Sequence, residues 1–136
     1  MDVIGYIGIP WKTGGRDVRK DGGLDCWGLV RKIYEDKFNI TLPPFTGITT
    51  KNSYKECSTQ FELEKDKDTD FIEVDDPRKG DIALFTIAGH PIHVGIVLAD
   101  NQFIHMDDKA GCSIENYKGM KWKSRLQGFY RHKNMK

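Results

Sequence analysis

The chain has 136 residues and a mass of 15.6 kDa, the size of one domain that can bury a core without disulfides or metals. Its 21 basic and 20 acidic residues leave a net charge of +1, which argues against a protein that wraps nucleic acid. Mean hydropathy is −0.56, and no apolar run approaches the roughly 18 residues that a membrane span needs. The N-terminal residues carry an acid at Asp2 and no basic region, so we expect synthesis in the cytoplasm without a signal peptide. The composition predicts a single domain over residues 1–136.

The cysteine content excludes two further classes of protein. Cys26, Cys57 and Cys112 are an odd number, and their spacing is not that of paired metal ligands. Neither a disulfide framework nor a zinc site of the CxxC type is therefore supported. We expect no metal and no organic cofactor.

The first half of the chain predicts glycine-rich loops followed by helix. Glycines cluster before residue 28, which is typical of turns and of close backbone approach. Apolar residues then recur at three- and four-residue spacing, which predicts a helix over 25–38 that ends before Pro43 and Pro44. A weaker pattern predicts a second helix over 53–64, and the charged run over 64–70 predicts a surface loop.

The second half predicts an antiparallel meander. Short β-branched or aromatic runs cover 81–87, 93–99 and 102–106, with turn residues at 89–91 and at Asp100-Asn101. Two more short strands are expected near 112–114 and 128–131. Helices first and strands afterwards indicate an α+β fold.

Cys26 is the candidate nucleophile, because it lies where the glycine-rich stretch gives way to the helix. The first turn of a helix stabilises a thiolate, and its N–H groups can bind an oxyanion. The alternative is a small buried apolar residue, which is the better interpretation of Cys57 and Cys112. Asp25 precedes the thiol and is either a helix N-cap or a carboxylate that pairs with a cationic substrate group.

His93 and His105 are the candidate base and orienting residue for that thiol. They lie on two strands of one predicted hairpin, and although they are not directly opposed, an offset along the sheet would bring them together. The alternative is a pair of polar residues on a half-exposed sheet. A metal site of His90, His93 and His105 is disfavoured by Gly89 and Pro91, which place His90 in an exposed loop; His132 is expected near a frayed C-terminus.

Three sequence blocks together resemble the NlpC/P60 family of cysteine peptidases. They are GG at 14–15 with LDCWGLV at 24–30, RKGDIALF at 78–85 with HVGIV at 93–97, and FIHM at 103–106. The resemblance implies a Cys26–His93–His105 triad and a papain-like core in which the nucleophile helix packs on a small antiparallel sheet. It also implies cleavage of peptidoglycan stem peptides, commonly between D-glutamate and a diamino acid, with Asp25 meeting the substrate's free amine.

Two positions depart from the family pattern and bear on substrate binding. Trp27 replaces the serine that usually follows the nucleophile, which predicts a differently shaped cleft. Trp11 stands where a tyrosine is usual, and Tyr6 is the candidate to replace the missing hydroxyl near the thiol.

PWK at 10–12, GGRD at 14–17 and DCWGLV at 25–30 together resemble small members of the family that are encoded among bacteriophage tail genes. We therefore expect a virion protein that docks on a tail-tip or baseplate partner and opens the cell wall locally, with no nucleic-acid partner. The candidate docking faces are the Tyr54–Phe61 stripe and the segment around Trp122 and Phe129, and the alternative is that both belong to the core. The alternatives are a structural tail component with little activity, and an amidase or acyltransferase that acts on an amide outside the wall.

Overall fold

A computed structural model describes residues 2–42, 71–87 and 90–135. The predicted helix over 53–64, the charged run over 64–70, Cys57 and the Tyr54–Phe61 stripe lie outside these described residues. Within the described part of the chain, no helix is long and apolar enough to cross a membrane.

The predicted N-terminal helix is present and begins at the candidate nucleophile. A short helix, α1 (Val18–Asp21), precedes α2 (Cys26–Ile33), which continues through one wider π-helical turn, Tyr34–Phe38. Asn39 ends the helix in the left-handed conformation, with φ 56°. The apolar face of α2 is buried, which confirms the periodicity of the sequence.

Three glycines let the N-terminal loop stack tightly against the start of α2. A Cβ atom on Gly28 would lie 2.2 Å from the carbonyl oxygen of Gly15, and one on Gly15 would lie 2.4 Å from that of Gly23. Trp11 and Leu24 form a parallel bridge beside this contact. The glycines therefore fix the backbone that leads into Cys26.

Among the described residues, six strands form one antiparallel sheet in the order β1-β6-β2-β3-β4-β5. They are β1 (Phe71–Val74), β2 (Ile82–Ile87), β3 (His90–Val97), β4 (Gln102–Asp107), β5 (Gly111–Asn116) and β6 (Leu126–His132). The predicted meander is confirmed, and Asp100 and Asn101 form its tight turn with φ of 59° and 63°. A short helix, α3 (Met120–Lys123), joins β5 to β6.

The second half contains one strand that was not predicted, and two expectations about its histidines were wrong. β1 was not predicted, because a strand of four residues gives too little pattern. His90 begins β3 rather than lying in a loop. His132 is buried in β6 opposite Phe71 rather than frayed.

The expected docking segment around Trp122 and Phe129 is also part of the core. Trp122 is 4% exposed and Phe129 is half-buried, and both pack in a cluster with Phe85 and Phe103. Because these side chains cover the sheet, they offer no free apolar face to a tail protein.

The sheet carries a core on each face. One cluster joins α2 and the N-terminal loop to β2, β3 and β4, and α2 packs directly against β3 and β4. The second cluster contains Ala83, Phe85, Val97, Phe103, Tyr117 and Trp122. The two strands that carry His93 and His105 are thereby buried on both sides.

Candidate active site

His93 and His105 meet in the interior of the sheet. The register pairs Ile96 with Ile104, so the two histidines are diagonal neighbours on one face. Their rings form a hydrogen bond of 2.9 Å between His93 Nε2 and His105 Nδ1, and the side chains are 5% and 1% exposed. The predicted offset contact between the two histidines is confirmed.

Gly95 makes room for this contact between the strands. A Cβ atom at this position would lie 2.7 Å from Cδ2 of Phe103, 2.8 Å from the carbonyl oxygen of Ile104 and 3.1 Å from Cβ of His105. The glycine of HVGIV therefore allows β3 and β4 to approach closely beside the histidine pair.

Glu115 extends the pair to a third side chain that the sequence analysis did not identify. His105 Nε2 lies 2.6 Å from Glu115 Oε2, across the β4–β5 ladder. The strand predicted near Cys112 was the available signal. Residues two apart on a strand share one face, so Ser113 and Glu115 lie on the same face of β5. Predicting it required the register that pairs His105 with Ser113.

Burial keeps both imidazoles neutral at ordinary pH. Desolvation, and then the neighbouring His105, lower the pKa of His93 to about 3. Desolvation also lowers the pKa of His105, although the hydrogen bond and charge of Glu115 act in the opposite direction. Each neutral imidazole therefore has one ring nitrogen with a hydrogen and one with a lone pair.

Trp122 covers the histidine pair with its indole ring. The ring stacks on His93 with a centroid distance of 5.2 Å and an interplanar angle of 15°, and meets His105 edge-on at 5.0 Å. The cations of Lys121 and Arg125 lie over the same indole, at 5.0 and 5.6 Å from its centroid. The indole thus excludes water from the rings and brings two positive charges near them.

Cys26 is the first residue of α2, the helix that packs against β3 and β4. Its side chain is partly exposed, in contrast with Cys112, which is buried. Burial raises the pKa of the Cys112 thiol to about 12, so that thiol is inert. Of the two cysteines in the described residues, only Cys26 is accessible at a helix N-terminus.

Asp25 caps α2 and is already paired with a cation. Its Oδ1 accepts a hydrogen bond of 2.8 Å from the backbone N–H of Gly28, and Arg16 Nη1 donates to the same oxygen at 2.6 Å. The two side chains are 13% and 11% exposed. The N-cap interpretation is confirmed, and the positive group beside Asp25 is a side chain of this protein that the sequence analysis did not name.

The three aromatic residues expected at the substrate cleft occupy different environments. Trp27 is a buried core residue, so it has little surface to shape a cleft. Trp11 is half-buried in the loop beside Leu24, and its Nε1 donates to Thr13 Oγ1 at 3.3 Å. The Tyr6 hydroxyl donates to Asp36 at 2.8 Å, ten residues along the helix from Cys26, so it does not replace a hydroxyl near the thiol.

No group of three or more metal-ligating side chains is present within residues 2–42, 71–87 and 90–135. The described site is instead a chain of hydrogen-bonded side chains, His93, His105 and Glu115, on strands packed against the helix of Cys26. Such a chain can accept a proton from a thiol and return it to a leaving group.

The fold is α+β with a thiol at a helix start and a buried pair of imidazoles on the sheet, and residues 8–131 match the NlpC/P60 family. The chain belongs to the NlpC/P60 family. The papain-like α+β fold expected from the sequence is thereby confirmed.

Curated relatives are longer proteins that are named as endopeptidases. The chain is 28% identical over 120 residues to the murein DD-endopeptidase MepS/murein LD-carboxypeptidase of Escherichia coli strain K12, covering 88% of this chain and 54% of that protein. It is 26% identical over 119 residues to a probable endopeptidase of Haemophilus influenzae, covering 86% of this chain and 62% of that protein. The chain therefore spans little more than half the length of these relatives.

Solved structures share the fold over nearly the whole chain. The NlpC/P60 domain of the peptidoglycan hydrolase SagA has a TM-score of 0.60 at 22% identity, covering 93% of this chain and 88% of that domain. An NLP/P60 family protein of Staphylococcus aureus, described as similar to a lipoprotein, has a TM-score of 0.63 at 27% identity, covering 94% and 38%.

Proposed function

We propose that this chain is a cysteine endopeptidase that hydrolyses peptidoglycan stem peptides through an acyl-enzyme on Cys26. The observation that carries the proposal is the buried, hydrogen-bonded His93–His105 pair on strands packed against the helix that Cys26 begins. The names of the relatives, which include a murein endopeptidase and a peptidoglycan hydrolase, support the class of substrate.

The proposed reaction has two proton-balanced stages. His93 takes the proton of the Cys26 thiol, the sulfur attacks the scissile carbonyl, and the N-terminus of α2 favours the oxyanion. His93 then gives the proton to the departing amine, which leaves a thioester on Cys26. In the second stage His93 takes a proton from water, the hydroxide displaces the thiolate, and the proton returns to sulfur.

We propose the γ-D-glutamyl–diamino acid bond as the scissile bond. The support is the resemblance of LDCWGLV to the family block in which an acid precedes the nucleophile. Because Arg16 already pairs with Asp25, a substrate amine would have to share that carboxylate or displace the guanidinium. Substitution of Asp25 therefore tests the free-amine specificity separately from the bond that is cleaved.

Digestion of purified peptidoglycan that contains a diamino acid tests this function directly. Mass analysis of the soluble products is expected to show fragments that end at D-glutamate, and Cys26→Ser is expected to release none. If the chain instead converts cross-linked stem-peptide dimers into monomers and releases no such fragments, it cleaves the cross-link. Release of nothing by a folded wild-type chain would contradict the enzyme and favour a structural component with the same fold.

The location in a phage particle is a separate part of the proposal. It rests on the resemblance of the PWK and DCWGLV blocks to family members encoded among tail genes. Carriage on a tail tip or baseplate would raise the local enzyme concentration at the wall. Proteomics of purified virions tests it: detection in the particle is expected, whereas a protein found only free in the lysate would contradict it.

A further inference from the structure

We propose that Glu115 is a positioning residue for the catalytic pair: its carboxylate fixes which ring nitrogen carries a hydrogen on both His105 and His93. The inference rests on the acyl-transfer function proposed above and adds a fourth residue to the expected triad of Cys26, His93 and His105. It depends on two contacts, of 2.6 Å between Glu115 and His105 and of 2.9 Å between the two histidines.

The hydrogen positions follow from the bonding capacity of each group. A carboxylate only accepts, so His105 Nε2 carries the hydrogen that points to Glu115 Oε2. A neutral imidazole has one N–H, so His105 Nδ1 is then an acceptor. His93 Nε2, which faces that acceptor, must donate.

These hydrogen positions determine which nitrogen of His93 can accept the thiol proton. With its hydrogen on Nε2, neutral His93 has its lone pair on Nδ1, the ring nitrogen that His105 does not use. Nδ1 is therefore the atom available to take the thiol proton. Without Glu115, His105 could carry its hydrogen on Nδ1, and His93 would then turn its lone pair towards His105 and away from the reaction.

The fold gives Glu115 a defined place for this role. In the β4–β5 ladder His105 faces Ser113 and Phe103 faces Glu115, so Glu115 reaches His105 diagonally on one face of the sheet. The Glu115 side chain is 30% exposed, whereas the His105 ring is 1% exposed. Solvent can therefore stabilise the charge of the carboxylate while the imidazole remains shielded.

Three other charged side chains lie near His93 and His105 without a hydrogen bond to either ring. Asp107 follows His105 on β4, and its charge favours the protonated imidazoles. Lys121 on α3 and Arg125 after it have the opposite effect on His93. Both ring nitrogens of His105 are occupied by His93 and Glu115, so Glu115 is the group in hydrogen-bond contact that can set the direction of the N–H bonds.

Nitrogen NMR of histidine-labelled protein tests the hydrogen positions without any substrate. In the wild type we expect both His93 and His105 to carry their hydrogen on Nε2. In Glu115→Gln, whose amide can donate as well as accept, we expect His105 to populate the Nδ1–H form. A wild-type His105 with its hydrogen on Nδ1 would overturn the proposal, and so would an unchanged pattern in Glu115→Gln.

Kinetics on the stem peptide provide the second readout. Glu115→Gln is expected to lower kcat about tenfold with little change in KM, and Glu115→Asp is expected to recover part of the loss because it keeps the carboxylate. Loss of the negative charge makes the imidazolium less stable, so the acid limb of the pH profile is expected to move to lower pH. An unchanged kcat and pH profile would overturn the role of Glu115.

Glu73→Gln is the matched control, because it makes the same chemical change on β1 at the opposite edge of the sheet. It is expected to leave the histidine spectra and kcat unchanged. Thermal unfolding of each variant checks that the fold is retained. Because the NMR experiment needs no substrate, hydrogen positions as expected with no wall cleavage would support Glu115 and contradict only the proposed function.

Discussion

His93 and His105 share one hydrogen bond but are expected to differ in how much their loss costs. His93→Ala removes the proposed base, so activity is expected to fall to the level of Cys26→Ser. His105→Ala leaves a base that is present but misaligned, and kcat/KM is expected to fall less, by about 10²-fold. Hydrolysis of a stem peptide measures both values.

Both histidines are buried, so the comparison needs a control for folding. Thermal unfolding shows whether each variant keeps its structure, and His105→Asn offers a smaller cavity with a side chain that can still bond to His93. A folded His105→Ala enzyme with full activity would contradict the orienting role.

Asp25 has a structural role that can be separated from binding. Asp25→Asn keeps an acceptor for the Gly28 N–H but loses the charge that pairs with Arg16. We expect the free energy of unfolding to fall by about 1–3 kcal/mol, because the lost hydrogen bond joins two charged groups that are mostly buried. If Asp25 also meets a substrate amine, KM for a stem peptide with a free amine is expected to rise.

Asp17→Asn is the matched control for this substitution. Asp17 caps α1 through the N–H groups of Arg19 and Lys20, so Asp17→Asn makes the same chemical change at the N-cap of a different helix. An Asp25→Asn enzyme that is less stable but has an unchanged KM would show that Asp25 stabilises the fold and does not bind the substrate amine.

The junction between the glycine-rich loop and α2 is expected to tolerate no added side chain. Gly28→Ala would place a Cβ atom 2.2 Å from the Gly15 carbonyl oxygen, which is backbone and cannot rotate away. We expect the free energy of unfolding to fall by about 1–3 kcal/mol, because the loop must move off the helix. Urea unfolding measures it. Gly5→Ala, with no atom within 4 Å of the added Cβ, is expected to be close to neutral, and equal effects of the two changes would contradict the packing account.

The elements that were predictable from the sequence are those with a long or repeated local pattern. The helix that begins at Cys26 and the β2–β5 meander follow from apolar spacing and from turn residues such as Asp100 and Asn101. β1 could not be found, because four residues on a sheet edge carry little periodicity. Its pairing with β6 joins residues about 60 positions apart, which no local pattern encodes.

The part of the candidate site that could be predicted consists of residue types with few possible chemical roles. A cysteine at a helix start and two histidines on one hairpin restrict the roles to a few, and their positions were found. Glu115 and Arg16 were missed, because a glutamate on a strand and an arginine in a loop are ordinary surface residues until the register or the loop packing gives each a partner. Trp27 is buried, which the sequence did not predict, because the residue type after the nucleophile does not show which face of α2 packs on the core.

At the scale of the whole molecule, the buried histidine pair makes stability depend on pH. The pKa of His93 lies at about 3 in the folded chain, below its ordinary value of 6.5. The unfolded chain therefore binds the proton more readily below about pH 6.5, so the stability that neutral His93 provides is present above that pH and is lost as the pH falls towards 3. We expect the free energy of unfolding to drop between about pH 7 and pH 5, by up to about 1.4 kcal/mol per pH unit for this group.

Urea unfolding of the wild type and of His93→Gln at both pH values measures this effect. The substitution removes the titrating ring, so the difference between the two pH values is expected to become smaller. An equal pH dependence in the two proteins would contradict the burial of a neutral His93.

Thiol alkylation tests whether Cys26 is a nucleophile that His93 activates. Iodoacetamide at about pH 6–7, followed by peptide mapping, reports the reactivity of each cysteine without any substrate. We predict that Cys26 is labelled first, that Cys57 and the buried Cys112 are labelled slowly, and that His93→Ala slows Cys26 about tenfold or more. Equal rates for Cys26 in the wild type and in His93→Ala, or labelling of Cys57 or Cys112 as fast as Cys26, would contradict the account.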